Sequence, residues 1–153
     1  MRVPHYRFFE LPRQSEYLGS DVLTPIRTLL VVEDDPDMRE YLTQALTADG
    51  YAVVSAPNGA RALEVLKHMP TRCLVLTDMS MPVMSGWEFI IALQDFPRSV
   101  VRFPVIVLSG EDTTDAWRLP GVVRTISKPL KLQELREAVR EECDAFTEGA
   151  AQS

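Results

Sequence analysis

The stretch Cys73-Leu74-Val75-Leu76-Thr77-Asp78-Met79-Ser80-Met81-Pro82-Val83-Met84-Ser85-Gly86 decides how the rest of the chain is understood. Residues 73–77 are apolar or nearly so and predict a short strand buried on both faces, the pattern of inner strands in a parallel sheet. That strand runs straight into a carboxylate, Asp78, and then into a turn with Pro82 and Gly86. Asp78 therefore stands at the carboxyl end of a strand, which in an open α/β sheet is the edge where ligands bind. A lone acid in such a place serves as a helix cap or a solvated loop residue just as readily, so its meaning depends on what the other strands bring to the same edge.

Upstream, Leu29-Leu30-Val31-Val32 is a second buried run, and it ends in Glu33-Asp34-Asp35. Pro36 then opens a helix at its first position with Asp35 as the cap, and Met38, Tyr41, Leu42, Ala45 and Leu46 recur at helical spacing until Gly50. Tyr51–Ala56 predicts a strand. Asn58 and Gly59 start a helix bearing Ala62, Leu63, Val65 and Leu66, stopped by Met69-Pro70. Downstream of Asp78, Ser85-Gly-Trp-Glu88 has capping-box spacing before Phe89, Ile90, Ile91 and Leu93. Residues 104–108 form a fourth strand ending in Ser109-Gly110, followed by a short helical segment near Thr114 to Arg118. Val122–Ile126 is the fifth strand and runs into Ser127-Lys128-Pro129. Leu132, Leu135, Val139, Cys143 and Phe146 then mark one stripe of a last helix.

Five strands alternating with five helices predict a doubly wound α/β domain with a parallel sheet, because right-handed crossovers place helices on both faces. The expected strand order is 2-1-3-4-5, with a switch point between the first and third strands. Glu33, Asp34 and Asp78 end the strands that flank that point, while Ser109 and Lys128 end the fourth and fifth.

At 153 residues and 46% hydrophobic content the chain makes one domain with a full core. Its net charge of −6 and lack of a Lys/Arg cluster disfavour direct binding to nucleic acid or an anionic membrane. Cys73 and Cys143 read as two reduced thiols of a cytoplasmic protein, a long-range disulfide being the alternative. His5 and His68 lack metal-ligand spacing. No run reaches a membrane span, and no apolar signal core opens the chain. Residues 1–25 read as a flexible extension, although Tyr6, Phe8, Phe9 and Leu11 offer an apolar anchor for the domain or a partner. The domain proper is expected over 26–146, with a short polar tail at 147–153.

Three carboxylates at one edge repel each other and call for a cation, and an all-oxygen set suits Mg²⁺. With Lys128 and the Ser109 hydroxyl, such a cluster would stabilise the equatorial oxygens of a phosphoryl group moving towards Asp78 and yield an aspartyl phosphate. A carboxylate nucleophile needs no general base.

With these motifs in this order, residues 27–146 resemble the receiver domains of two-component response regulators, a CheY-like, flavodoxin-like fold. The resemblance implies that Asp78 is the phosphoacceptor, with Asp34 a direct Mg²⁺ ligand, Glu33 the second acid and Ser80 a backbone-carbonyl ligand. It implies Ser109 as the switch hydroxyl, and Lys128 as the paired lysine before a cis Pro129. The expected partners are a sensor histidine kinase or phosphotransfer protein and a downstream protein target. No catalysis is expected beyond the domain's own phosphoryl uptake and loss. Three departures stand out: Thr125 occupies the usual place of an aromatic switch residue, Gly110 replaces a common Ala, and the Ser109–Lys128 interval is about one helical turn short. Two other functions fit less well. A phosphatase of the haloacid dehalogenase kind would want an acid where Ser80 stands, and an interaction module without phosphorylation would have no use for the acid, hydroxyl and lysine set.

Overall fold

The structure, a computed structural model, describes residues 25–110 and 115–152. Five strands, β1 (Thr28–Val32), β2 (Ala52–Ala56), β3 (Cys73–Asp78), β4 (Val105–Ser109) and β5 (Val122–Ser127), form one sheet. It is parallel throughout, in the order β2-β1-β3-β4-β5. The helices are α1 (Pro36–Ala48), α2 (Gly59–Lys67), α3 (Gly86–Ala92) and α4 (Leu132–Gln152), with a single helical turn at Ser99–Arg102. The doubly wound architecture expected from the alternation is the one observed.

The side-chain period of two in each strand divides the core into two layers. Leu30, Val32, Cys73, Val75, Val105 and Val107 point to one face and meet Ala62, Leu66, Phe89 and Ile90 from α2 and α3. Leu29, Val31, Leu74, Leu76, Ile106 and Leu108 point to the other and meet Leu42 and Leu46 of α1 and Leu135 and Val139 of α4. At roughly 1.5–3 kcal/mol per fully buried aliphatic side chain, these layers are what hold the carboxyl edge in register. β3 is buried along its whole length, whereas β5 at the sheet edge is polar and half-exposed.

The caps follow the sequence. Asp35 accepts from the Asp37 N–H to start α1, Asn58 accepts from the Arg61 N–H to start α2, and Ser85 and Glu88 form a capping box at α3. Ile26 is already core, and its N–H donates to the Cys143 carbonyl at 3.3 Å.

Several elements differ from expectation. The helix placed near Thr114 to Arg118 is, among the described residues, only a three-residue 3₁₀ turn, Ala116–Arg118. Pro120 and Gly121 follow too soon for a full turn to propagate. Ser99–Arg102 escaped notice because it is entered through Arg98 in a left-handed conformation, φ 56°, which carries no glycine signal. Helix α4 continues through residues expected as a tail, where Glu148, Ala150 and Ala151 are good helix formers. Residues 1–24, including Tyr6, Phe8, Phe9 and Leu11, lie outside the described residues, as does Thr114. Cys73 and Cys143 are both free and buried, and burial pushes the Cys143 thiol up to about 12, so neither is a ready nucleophile. No helix among the described residues is long and apolar enough to cross a membrane.

Candidate functional site

The parallel register sets β1 and β3 side by side, with Val32 opposite Thr77, so the residues that follow them share one edge. There Glu33, Asp34 and Asp78 each offer a carboxylate oxygen, and these atoms lie within 4.8 Å of one another. Asp78 and Glu33 are buried and Asp34 is exposed, which leaves the cluster open on one side. From β5, the Lys128 Nζ reaches Asp78 Oδ2 at 2.9 Å, and the Lys128 N–H donates to the Ser109 carbonyl at 2.8 Å, tying the ends of β4 and β5 together. The Lys128–Pro129 peptide is cis, as the resemblance implied.

Asp78 is held from both sides. Its Oδ1 accepts from the Ser80 N–H at 3.2 Å, and its carbonyl accepts from the Thr77 hydroxyl at 2.8 Å. Ser80 is exposed at the start of the β3–α3 loop. Ser109 is buried at the end of β4, and among the described residues its hydroxyl has only a long 3.5 Å contact with the Ile126 carbonyl. Thr125 pairs with Val107 in the ladder and is exposed.

Glu33 is the electrostatic focus. Its Oε1 accepts from the Asp35 N–H at 3.3 Å, but its Oε2 is buried with no hydrogen-bond partner among the described residues. A buried, unsatisfied carboxylate oxygen is costly. Burial first, and then the negative charge of Asp78, raise the Glu33 pKa above the ordinary glutamate value, and Lys128 partly offsets this. The folded chain therefore binds more protons than the unfolded one just above that ordinary value, so the metal-free protein loses stability as pH rises through the interval. Glu33→Gln removes the buried charge and keeps an acceptor for Asp35. The metal-free variant is expected to melt a few degrees higher at neutral pH, on the order of 3–6 °C for about 1 kcal/mol, with a flatter pH dependence. Calorimetry showing equal or lower midpoints would mean that Glu33 carries no unfavourable charge in the apo fold.

Arg39 is a contributor that the sequence did not single out. Its Nη1 donates to the Glu33 carbonyl at 2.8 Å and lies 3.5 Å from the Asp34 carbonyl, so the first turns of α1 clamp the acidic corner. The signal was available as an arginine following the acids on the helix they cap, but one Arg on an amphipathic helix carries little information by itself.

A family model described as "Response regulator receiver domain" matches residues 29–140. The chain is 34% identical over 115 residues to the response regulator receiver protein CpdR of Brucella abortus (strain 2308), a match spanning 72% of this chain and 91% of that protein. It is 35% identical over 115 residues to the sensor histidine kinase TmoS of Ectopseudomonas mendocina; that match covers 72% of this chain but only 11% of the kinase. Among solved structures, the signal receiver domain of a signal transduction histidine kinase from Syntrophus aciditrophicus superposes with a TM-score of 0.66 at 28% identity. It covers 82% of this chain and 93% of that one.

Proposed function

This chain belongs to the response regulator receiver domain family, and from that premise we propose that Asp78 accepts a phosphoryl group, with Mg²⁺, from a phosphohistidine of a sensor kinase or phosphotransfer protein. The domain then signals in the cytoplasm by protein contacts, with no catalysis beyond its own phosphoryl uptake and loss. The observation that carries this is the convergence of Glu33, Asp34 and Asp78 within 4.8 Å beside the Lys128 ammonium. A receiver match within TmoS supports a histidine kinase as the donor class.

The residues fit a hard divalent ion. The donor set is all oxygen, and the unpartnered Oε2 of Glu33 is the kind of acceptor that an ion would satisfy. Asp34, Asp78 and Glu33 would hold Mg²⁺, together with the Ser80 carbonyl. When bound, the ion supplies charge neutralisation at the phosphoryl oxygens.

The chain's own groups account for the transfer. A carboxylate oxygen of Asp78 forms the new bond to phosphorus while the phosphorus–nitrogen bond of the donor breaks, and the imidazole leaves with that electron pair. The Ser80 N–H on Oδ1 and the Lys128 ammonium on Oδ2 fix the carboxylate, which pre-orders attack. As charge passes to the phosphoryl oxygens, the ammonium follows it, and the weakly engaged Ser109 hydroxyl is free to donate to another of them.

Incubation with a small phosphodonor and Mg²⁺ should add one phosphoryl group, mapped by mass spectrometry to the peptide carrying Asp78. Label elsewhere, or uptake that proceeds equally well with chelator present, would overturn the proposal. Lys128→Ala is expected to leave Mg²⁺ affinity intact or slightly tighter, since it removes a positive charge from beside the acids, and to slow phosphorylation on the order of 10²–10³-fold. Titration calorimetry showing a large loss of metal affinity would refute that division of roles.

A further inference from the structure

Thr77 immediately precedes Asp78 and is completely buried, at 0% exposure. The period of two along β3 sets it on the face of Cys73 and Val75, the side covered by α2 and α3. Its cross-strand neighbours are Val32 on β1 and Val107 on β4, both members of that apolar layer. Packing alone would be served as well by valine, which has the same branched shape and buries no hydroxyl. The Thr77 hydroxyl donates instead to the Asp78 carbonyl at 2.8 Å. That carbonyl faces the start of α3, because a Cβ on Gly86 would fall inside contact distance of its oxygen. The peptide joining Asp78 to Met79 is therefore bonded by Thr77 and backed by Gly86, with no room for a methyl group between helix and carbonyl. The next peptide is fixed as well, since the Met79 carbonyl accepts from the Gly86 N–H at 3.0 Å. Held in this way the Asp78 backbone has one setting, and the rotamers open to its side chain are set with it.

We propose, resting on the assignment of Asp78 as the acceptor, that Thr77 is a positioning residue for phosphoryl uptake. Its hydroxyl locks the Asp78 main chain, so that the carboxylate is presented in one orientation to Lys128 and to the incoming phosphorus. Thr77 touches no reacting atom and acts only through the carbonyl it holds. The carboxylate end has its own restraints, the Ser80 N–H at 3.2 Å from Oδ1 and the Lys128 ammonium at 2.9 Å from Oδ2. Both lie on loops or strand ends that can follow a small rotation of Asp78, whereas the Thr77 hydroxyl belongs to the buried body of β3. A misplacement of about 1 Å in a reacting group costs roughly two orders of magnitude in rate. Loss of the hydroxyl removes only part of the restraint, so the expected slowing is on the order of 10-fold.

Two substitutions in the full chain separate positioning from packing. Thr77→Val keeps the branched shape and removes the donor, while Thr77→Ser keeps the donor and removes a core methyl. Thr77→Val should slow uptake from a small phosphodonor at saturating Mg²⁺ on the order of 10-fold, with a midpoint near that of the wild type because the added methyl offsets the lost bond. Thr77→Ser should react within about twofold of the wild-type rate yet melt lower, since it leaves a small gap in the core. The more stable variant is then the slower one, an ordering that a purely structural role does not produce. A second readout needs neither metal nor donor. Lys128 is 50 residues from Asp78 in sequence, so its ε-methylene NMR signal reports the carboxylate through space. That signal should shift in metal-free Thr77→Val and stay in place in Thr77→Ser. A rate that follows the midpoint, holding in Thr77→Val and falling in Thr77→Ser, would overturn the proposal, and so would a Lys128 signal unmoved in Thr77→Val. Wild-type protein that takes up no phosphoryl group would refute the acceptor assignment instead, and the Lys128 signal alone then decides whether Thr77 orients Asp78.

Discussion

Asp78→Asn is expected to give a folded protein whose phosphoryl uptake falls below detection. The substitution is nearly isosteric, and its amide oxygen still accepts from the Ser80 N–H that now meets Oδ1 at 3.2 Å, so the β3–α3 corner keeps its shape. What disappears is the charge. A neutral amide is a poor nucleophile and a poor ligand for a hard cation, so the proposed acceptor and part of the proposed metal site go together. The effects on stability oppose each other. The ion pair with Lys128 at 2.9 Å is lost, yet so is the repulsion that raises the Glu33 pKa. The thermal midpoint should therefore move by no more than a few degrees, while phosphorylation measured by intact mass drops to nothing. Stoichiometric labelling of the folded variant would show that the acceptor lies elsewhere on this edge, with Glu33 and Ser109 the first places to look.

The layout of this site was legible because it is written in short buried strands. Runs such as Leu29–Val32 and Cys73–Thr77 declare strands of a parallel sheet by being apolar on both faces, and the crossover rule then fixes which strand ends are neighbours. Glu33, Asp34, Asp78 and Lys128 are thereby assigned to one edge by the sequence pattern alone. The features that escaped depend on tertiary contact. Arg39 matters through a bond to a backbone carbonyl, which no side-chain pattern encodes. The one-turn helix at Ser99–Arg102 is stabilised from outside its own sequence, by Phe103 packed edge-on to Phe96 with ring centroids 5.7 Å apart. The helix expected before Pro120 collapsed to a 3₁₀ turn because its length, not its composition, was limiting.

Gly86→Ala is expected to cost about 3 kcal/mol and to slow phosphorylation on the order of 10²-fold, although residue 86 bears no functional group. Gly86 opens α3 directly behind β3, and its N–H donates to the Met79 carbonyl at 3.0 Å. A Cβ at this position would lie inside contact distance of the Asp78 carbonyl oxygen and 2.7 Å from the Met79 Cα. Both obstacles are backbone, so no rotamer change relieves them, and the cost falls at the upper end of the range for overpacking. Relief requires α3 to back away from β3, which displaces the Asp78 carboxylate from Lys128 and from Glu33. A shift of about 1 Å in a reacting group costs roughly two orders of magnitude in rate. In a domain of this size the stability loss corresponds to a midpoint lower by roughly 10 °C or more. Gly110→Ala is the internal control. It also lies beside the site, after Ser109, but a Cβ there has no neighbour within 4 Å, so that variant should melt and react like the wild type or slightly better. If Gly86→Ala matched Gly110→Ala in both midpoint and phosphorylation rate, the β3–α3 corner would have to be loose enough to absorb a methyl group, and the close backbone approach would not be what holds Asp78 in place.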